Sequence, residues 1–109
     1  MNSGESAFGD ILVGAVNRVF NEAFGEVGAS FIYRQLLLRH GLDRGAIPLR
    51  IGAFSEGLVE LLGSGGEAVL NMIVDGVAKS LSVRAPRGKR LEFEARLRAL
   101  FEGCQGAHE

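Results

Sequence analysis

The sequence predicts an all-α fold, a single compact bundle of about five helices. Apolar residues recur at three- and four-residue steps through most of the chain, which is the period of an amphipathic helix. Strand-like alternation is confined to short pieces such as LRIGAF and SLSVR, too few to build a sheet. The chain has 109 residues, a length at which one domain buries roughly two thirds of its unfolded surface.

The first helical run covers residues 7–24, and glycines at 25 and 28 predict that the helix stops or bends there. A second run resumes the period and ends near residue 40. Arg39 and His40 lie in its last turn, where positive charge interacts favourably with the helix dipole. Gly41 fits a left-handed C-terminal cap.

Residues 42–50 read as a connector, because Asp43 favours a turn and Pro48 lacks a backbone donor. A third helix then runs through Phe54 and ends at Gly63. Ser64 and Glu67 match a capping box, which predicts that Ser64 caps a fourth helix reaching about Leu81.

After residues 82–90, which contain Pro86 and Gly88, a fifth amphipathic helix of about 14 residues is predicted. We expect residues 1–84 to form a four-helix core. We expect residues 85–109 to supply a basic linker, the C-terminal helix and a frayed tail on the same domain. The predicted core consists of Phe20, Phe24, Phe31, Leu36, Phe54, Leu58, Leu61, Leu70, Ile73 and Val77.

Glycine is unusually frequent, with 16 residues. A glycine inside a helix costs about 1 kcal/mol relative to alanine, so close crossing of helices at Gly9, Gly14, Gly57 and Gly76 is one explanation. A compositional bias of the genome is the other.

The formal net charge of −1 gives no overall attraction to nucleic acid or to an anionic membrane. The single Cys104 excludes an internal disulfide, and no signal segment opens the chain, so we expect a cytoplasmic protein. No apolar run approaches the roughly 20 residues that span a bilayer.

Two short motifs suggest catalysis without the structural context that catalysis needs. GSGGEA, from Gly63 to Ala68, matches a dinucleotide fingerprint, yet that fingerprint follows a strand and here a helical pattern precedes it. AFSEG resembles a nucleophile elbow at Ser55, which we interpret as a solvated helix residue. Cysteine and histidine are too few for a metal site, and Cys104 is interpreted as a small buried hydrophobe. We expect no enzyme activity, no cofactor and no metal.

Basic residues concentrate around the predicted C-terminal linker and helix. Clustered Lys and Arg on an accessible segment can contact a phosphate backbone, although Glu92 and Glu94 interrupt the cluster. The possible nucleic-acid contacts are Arg84, Arg87, Lys89, Arg90, Arg96 and Arg98.

The first helix is apolar over more than half of its circumference, more than a bundle of this size readily covers. A symmetric homodimer is the commonest way to cover such a surplus. The predicted partner surface is Phe8, Leu12, Val16, Phe93, Leu97, Leu100 and Phe101.

Residues 31–81 combine a basic-Gly-Leu cap, an Ile-Pro connector, a Phe-x-x-x-Leu helix and a G-x-G corner before an apolar helix. In these features they resemble small uncharacterised archaeal all-helical proteins. The resemblance implies a helical fold and brings no activity with it.

The sequence thus predicts a non-enzymatic interaction module, regulatory or adaptor in character, that binds a second copy of itself or another protein and no membrane. The alternative is a nucleic-acid-binding domain that uses the Arg84–Arg98 segment.

Overall fold

The computed structural model describes the backbone of residues 3–82 and 93–106 and the side chains of residues 7–82 and 93–101. Four α-helices are present in these ranges: α1 (Ser3–His40), α2 (Ile51–Leu62), α3 (Ser64–Leu81) and α4 (Phe93–Gly106). A 3-10 helix, Arg44–Leu49, joins α1 to α2. The described residues contain no strand, and they form one globule with a radius of gyration of 13.3 Å. The all-α prediction is confirmed.

Helix α1 consists of two arms that meet at Gly25, whose φ of 76° and ψ of 174° interrupt the helical backbone. A straight helix of this length would measure about 57 Å, whereas the longest extent of the molecule is 41 Å. The rings of Phe20 and Tyr33 lie 5.1 Å apart, although thirteen residues of continuous helix would separate them by about 20 Å. Residues 26–40, here called the second arm, therefore fold back on residues 3–24, as the glycines predicted.

The second arm ends at the predicted left-handed cap. Gly41 has a φ of 61°, and its N–H donates to the Leu37 carbonyl at 2.9 Å. The connector is more regular than expected, because the Asp43 carboxylate accepts a bond from the Ala46 N–H and caps the 3-10 helix. Pro48 lies near the end of that short helix, where it precedes α2.

A single residue, Gly63, separates α2 from α3. Its φ of 62° turns the chain, and its N–H donates to the Val59 carbonyl at 2.7 Å. The predicted capping box at Ser64 and Glu67 is wrong. Because Gly63 itself makes the turn, Ser64 already lies in the first turn of α3, and the cap position has no side chain to form a bond.

The core lies where both arms of α1 pack with α2, α3 and α4. Seven of the predicted core residues are buried: Phe20, Leu36, Phe54, Leu58, Leu70, Ile73 and Val77. Phe24 and Leu61 are only partly buried at its edge. Phe31 is 58% exposed, so its assignment to the core was wrong. Ile32, one residue later, points inward because the second arm turns that face toward the bundle.

Close helix crossing explains some glycines and not others. A Cβ at position 57 would lie 2.7 Å from Leu36 Cδ2, and one at position 66 would lie 2.8 Å from the Leu58 carbonyl oxygen. Nothing lies within 4 Å of such a Cβ at Gly14. The expected role in close helix packing therefore holds at Gly57 and fails at Gly14. It applies most strongly at Gly66, a position that the sequence analysis did not name.

We predict that Leu70→Ala lowers the free energy of unfolding by about 2 to 5 kcal/mol, because this side chain is fully buried between helices. Met72 on the same helix is 41% exposed. Met72→Ala is therefore the matched control and should cost far less. Chemical denaturation followed by circular dichroism measures both, and equal losses would contradict the placement of α3.

We predict that Gly66→Ala destabilises the fold, because its Cβ would also lie 2.9 Å from the Val59 Cα and backbone cannot rotate aside. Gly65→Ala is the control, since a Cβ there meets nothing within 4 Å. Its expected effect is neutral to stabilising, by up to about 1 kcal/mol. Thermal unfolding of the two variants should shift in opposite directions or by clearly different amounts.

Candidate functional site

The predicted partner surface is largely the interior of the chain itself. Leu12, Val16, Phe93 and Leu97 have no exposed area, and Leu100 is 7% exposed. Helix α1 packs mainly against α3, and also against α2, α4 and the 3-10 helix. These five side chains therefore do not form an exposed surface, and the prediction is wrong for them.

Phe8 and Phe101 are the two members of that set that remain partly exposed. Their ring centroids lie 4.9 Å apart, which joins the start of α1 to α4. They line a groove of about 350 Å³ with Pro48, Leu49 and Arg98 among its other walls. The groove is shallow and apolar, and it is what remains of the predicted surface.

Of the six predicted nucleic-acid contacts, the structure describes the side chains of Arg96 and Arg98, and these two do not form a basic cluster. Arg96 is 5% exposed, and its Nη1 donates to Asn71 Oδ1 of α3 at 2.8 Å. Arg96 is thus a buried residue between two helices and not an exposed phosphate contact, which corrects its assignment. Arg98 is exposed and pairs with Glu94, one turn earlier, at 2.7 Å. The other four, Arg84, Arg87, Lys89 and Arg90, lie outside the described residues.

Four of the six large apolar side chains that are exposed among the described residues lie on the second arm. Val27 is 84% exposed, Phe31 58% and Leu38 71%, and Leu37 beside them is half exposed. At 100° per residue, Val27, Phe31 and Leu38 fall within about 40° of one another around the helix axis. We call these three residues and Arg34, which lies on the same line, the outer stripe.

The opposite face of the second arm is packed into the bundle. Ala29, Ile32 and Leu36 are buried there, and Leu36 closes against Gly57 of α2. At the end of the arm, His40 Nε2 lies 3.0 Å from Glu60 Oε1, also on α2. The arm is therefore apolar on both faces while only one is covered, and the uncovered face is held in a fixed position.

Tyr33 occupies the flank of the arm beside a polar depression of about 510 Å³. Its hydroxyl donates to Asn17 Oδ1 at 3.3 Å, and the Arg44 guanidinium lies 4.2 Å from the centre of its ring. Burial raises the pKa of Tyr33 above its ordinary value, and the positive charge of Arg44 opposes that rise. These contacts bind the two arms and the 3-10 helix together.

The short motifs fit the interpretation that they are structural. Helix α2 precedes GSGGEA, so the strand that a dinucleotide site requires is absent at residues 54–62. Ser55 is 5% exposed, and its hydroxyl donates to the Gly52 carbonyl at 3.0 Å. It is therefore a buried, bonded residue and not the solvated one we expected. The side chain of Cys104 lies outside the described residues.

Comparison with known proteins adds no relative: the chain matches no family model, no curated protein and no solved structure. In the part of the chain that the structure describes, no group of three or more His, Cys, Asp or Glu side chains could hold a metal ion. None of the described helices is both long and apolar enough to cross a membrane.

The sequence analysis did not identify the outer stripe, because it assigned Phe31 to the core. The signal was present in the spacing, since Val27, Phe31 and Leu38 share one face, while Ile32 and Leu36 share the opposite one. In the structure only the face that carries Ile32 and Leu36 is covered.

We predict that Tyr33 titrates above pH 10 in the folded protein and near pH 10 in urea. Burial disfavours the phenolate only in the folded state, so the unfolded chain loses this proton first and stability falls as the pH rises beyond 10. The chain contains one Tyr and no Trp, so absorbance at the phenolate band reports this residue alone. Equal midpoints in the two states would contradict the buried placement.

Proposed function

We propose that this protein is a non-enzymatic interaction module that self-associates through the outer stripe of its second arm. The observation that supports this is the exposure of three large apolar side chains in line on a helix whose other face is buried. Single exposed apolar residues are ordinary on protein surfaces, whereas a contiguous patch is typical of a contact with a partner. A homodimer is the commonest assembly that covers such a patch.

The proposal is supported by the way in which the arm is anchored. Phe20 against Tyr33, Leu36 against Gly57 and His40 against Glu60 hold the arm at its middle and its end. A partner that binds the stripe would therefore not have to order it first, which lowers the entropic cost of association. A regulatory or adaptor role in the cytoplasm remains part of the proposal.

The test is Leu38→Glu, measured by light scattering on a size-exclusion column and by sedimentation over a wide concentration range. Placing a carboxylate in an apolar contact should weaken the dimer by about tenfold or more. Leu49→Glu is the matched control, because Leu49 is 84% exposed but lies on the 3-10 helix beside the groove. We expect this control to leave the dimer unchanged.

A parent protein that stays monomeric at every concentration would overturn self-association. Loss of the dimer in Leu49→Glu and not in Leu38→Glu would move the interface to the groove. Absorbance at 260 and 280 nm on the same column detects bound nucleic acid. Nucleic acid that salt removes from a monomer would favour the basic Arg84–Arg98 segment instead.

A further inference from the structure

We infer that two copies of this chain pair their second arms in the antiparallel orientation. The twofold axis that relates them lies outside the outer stripe, at the level midway between residues 32 and 33. This inference rests on the proposed self-association and adds the orientation and the register of the interface. It follows from how apolar and charged residues are distributed along the arm.

The outer stripe is symmetric about the middle of the arm. Val27 and Leu38 are equally distant from the point between residues 32 and 33, and so are Phe31 and Arg34. An antiparallel pair with its axis at that point sets Val27 against Leu38 of the second copy, and Phe31 against Arg34. A twofold interface requires this self-complementarity. If residue i of the first copy contacts residue j of the second, then residue j of the first copy also contacts residue i of the second.

The central pairing brings chemically suited groups together. Arg34 is exposed and lies in line with the apolar residues of the stripe, and in this register its guanidinium reaches the ring of Phe31 on the other copy. An arginine over an aromatic face is a favourable contact. The chain already forms the same type of pair internally, between Arg44 and Tyr33.

The charges along the arm favour the antiparallel orientation over the parallel one. Glu26 stands at the beginning of the arm, and Arg39 stands near its end. Antiparallel arms bring the acidic end of one copy near the basic end of the other, and they also oppose the helix dipoles. Parallel arms would bring the two acidic ends together and the two basic ends together, which like charges disfavour.

The test is cysteine cross-linking in a Cys104→Ser background, which removes the native thiol. Two variants are prepared, Val27→Cys and Leu38→Cys, and one carries a tag that makes the mixed dimer distinguishable by size. Non-reducing gels compare each variant alone with the mixture. A short bis-maleimide reagent covers a pair whose Cβ atoms lie outside disulfide geometry.

We expect the mixture to form covalent dimer several times faster than either variant alone, and that dimer to be the mixed one. Faster cross-linking of each variant with itself would overturn the antiparallel orientation. Equal rates in all three samples, for a protein that light scattering shows to be dimeric, would overturn the register as well.

Light scattering on the reduced variants separates this inference from the proposed function. Dimers that cross-link with the wrong pairing refute only the orientation, and the interaction module stands. Reduced variants that stay monomeric while the Cys104→Ser parent dimerises point to damage at the stripe, which supports its place in the interface. A monomeric parent refutes both proposals together.

Discussion

The reversal of α1 at Gly25 is the constraint on which the rest of this structure depends. A φ of 76° is open to glycine and strained for other residues, so one position decides that 38 residues form two packed arms instead of a rod. Once the arms are folded back, Phe20 meets Tyr33 and Phe54, and Phe54 in turn contacts the ring of Phe93 on α4. The aromatic centre of the bundle therefore joins segments that are far apart in the sequence.

The same reversal determines what is left exposed. Folding the second arm back buries its inner face, and the apolar stripe along its outer face is turned to the solvent. The apolar face of the first arm has the opposite fate, since Leu12, Val16 and Phe20 are fully buried. An excess of apolar residues in a sequence thus does not show which part of a helix stays uncovered. The sequence analysis placed an exposed apolar face on the first helix and Phe31 in the core, whereas the structure buries that face and exposes Phe31.

Local signals predicted the elements well, since each of them acts over a few residues. Glycines at 25, 41 and 63 mark a reversal, a cap and a corner, and apolar periods locate the helices between them. The capping box at Ser64 failed because Gly63 makes the turn alone. The exposed apolar face could not be predicted in the same way. Spacing alone places Phe31 and Ile32 on opposite faces of the second arm. Which of these faces is covered, and whether Arg96 is buried, depends on which helices become neighbours.

The corner between α2 and α3 has a consequence for how this sequence can diverge. At Gly66 the backbone of one helix lies against the backbone of the other, so no side chain can be admitted without moving Leu58 and Val59. Gly14 and Gly65 face open space and are free to change. Among descendants of this chain, position 66 should stay glycine after neighbouring positions have been substituted. This glycine would then still identify the corner in sequences whose overall identity to this one is low.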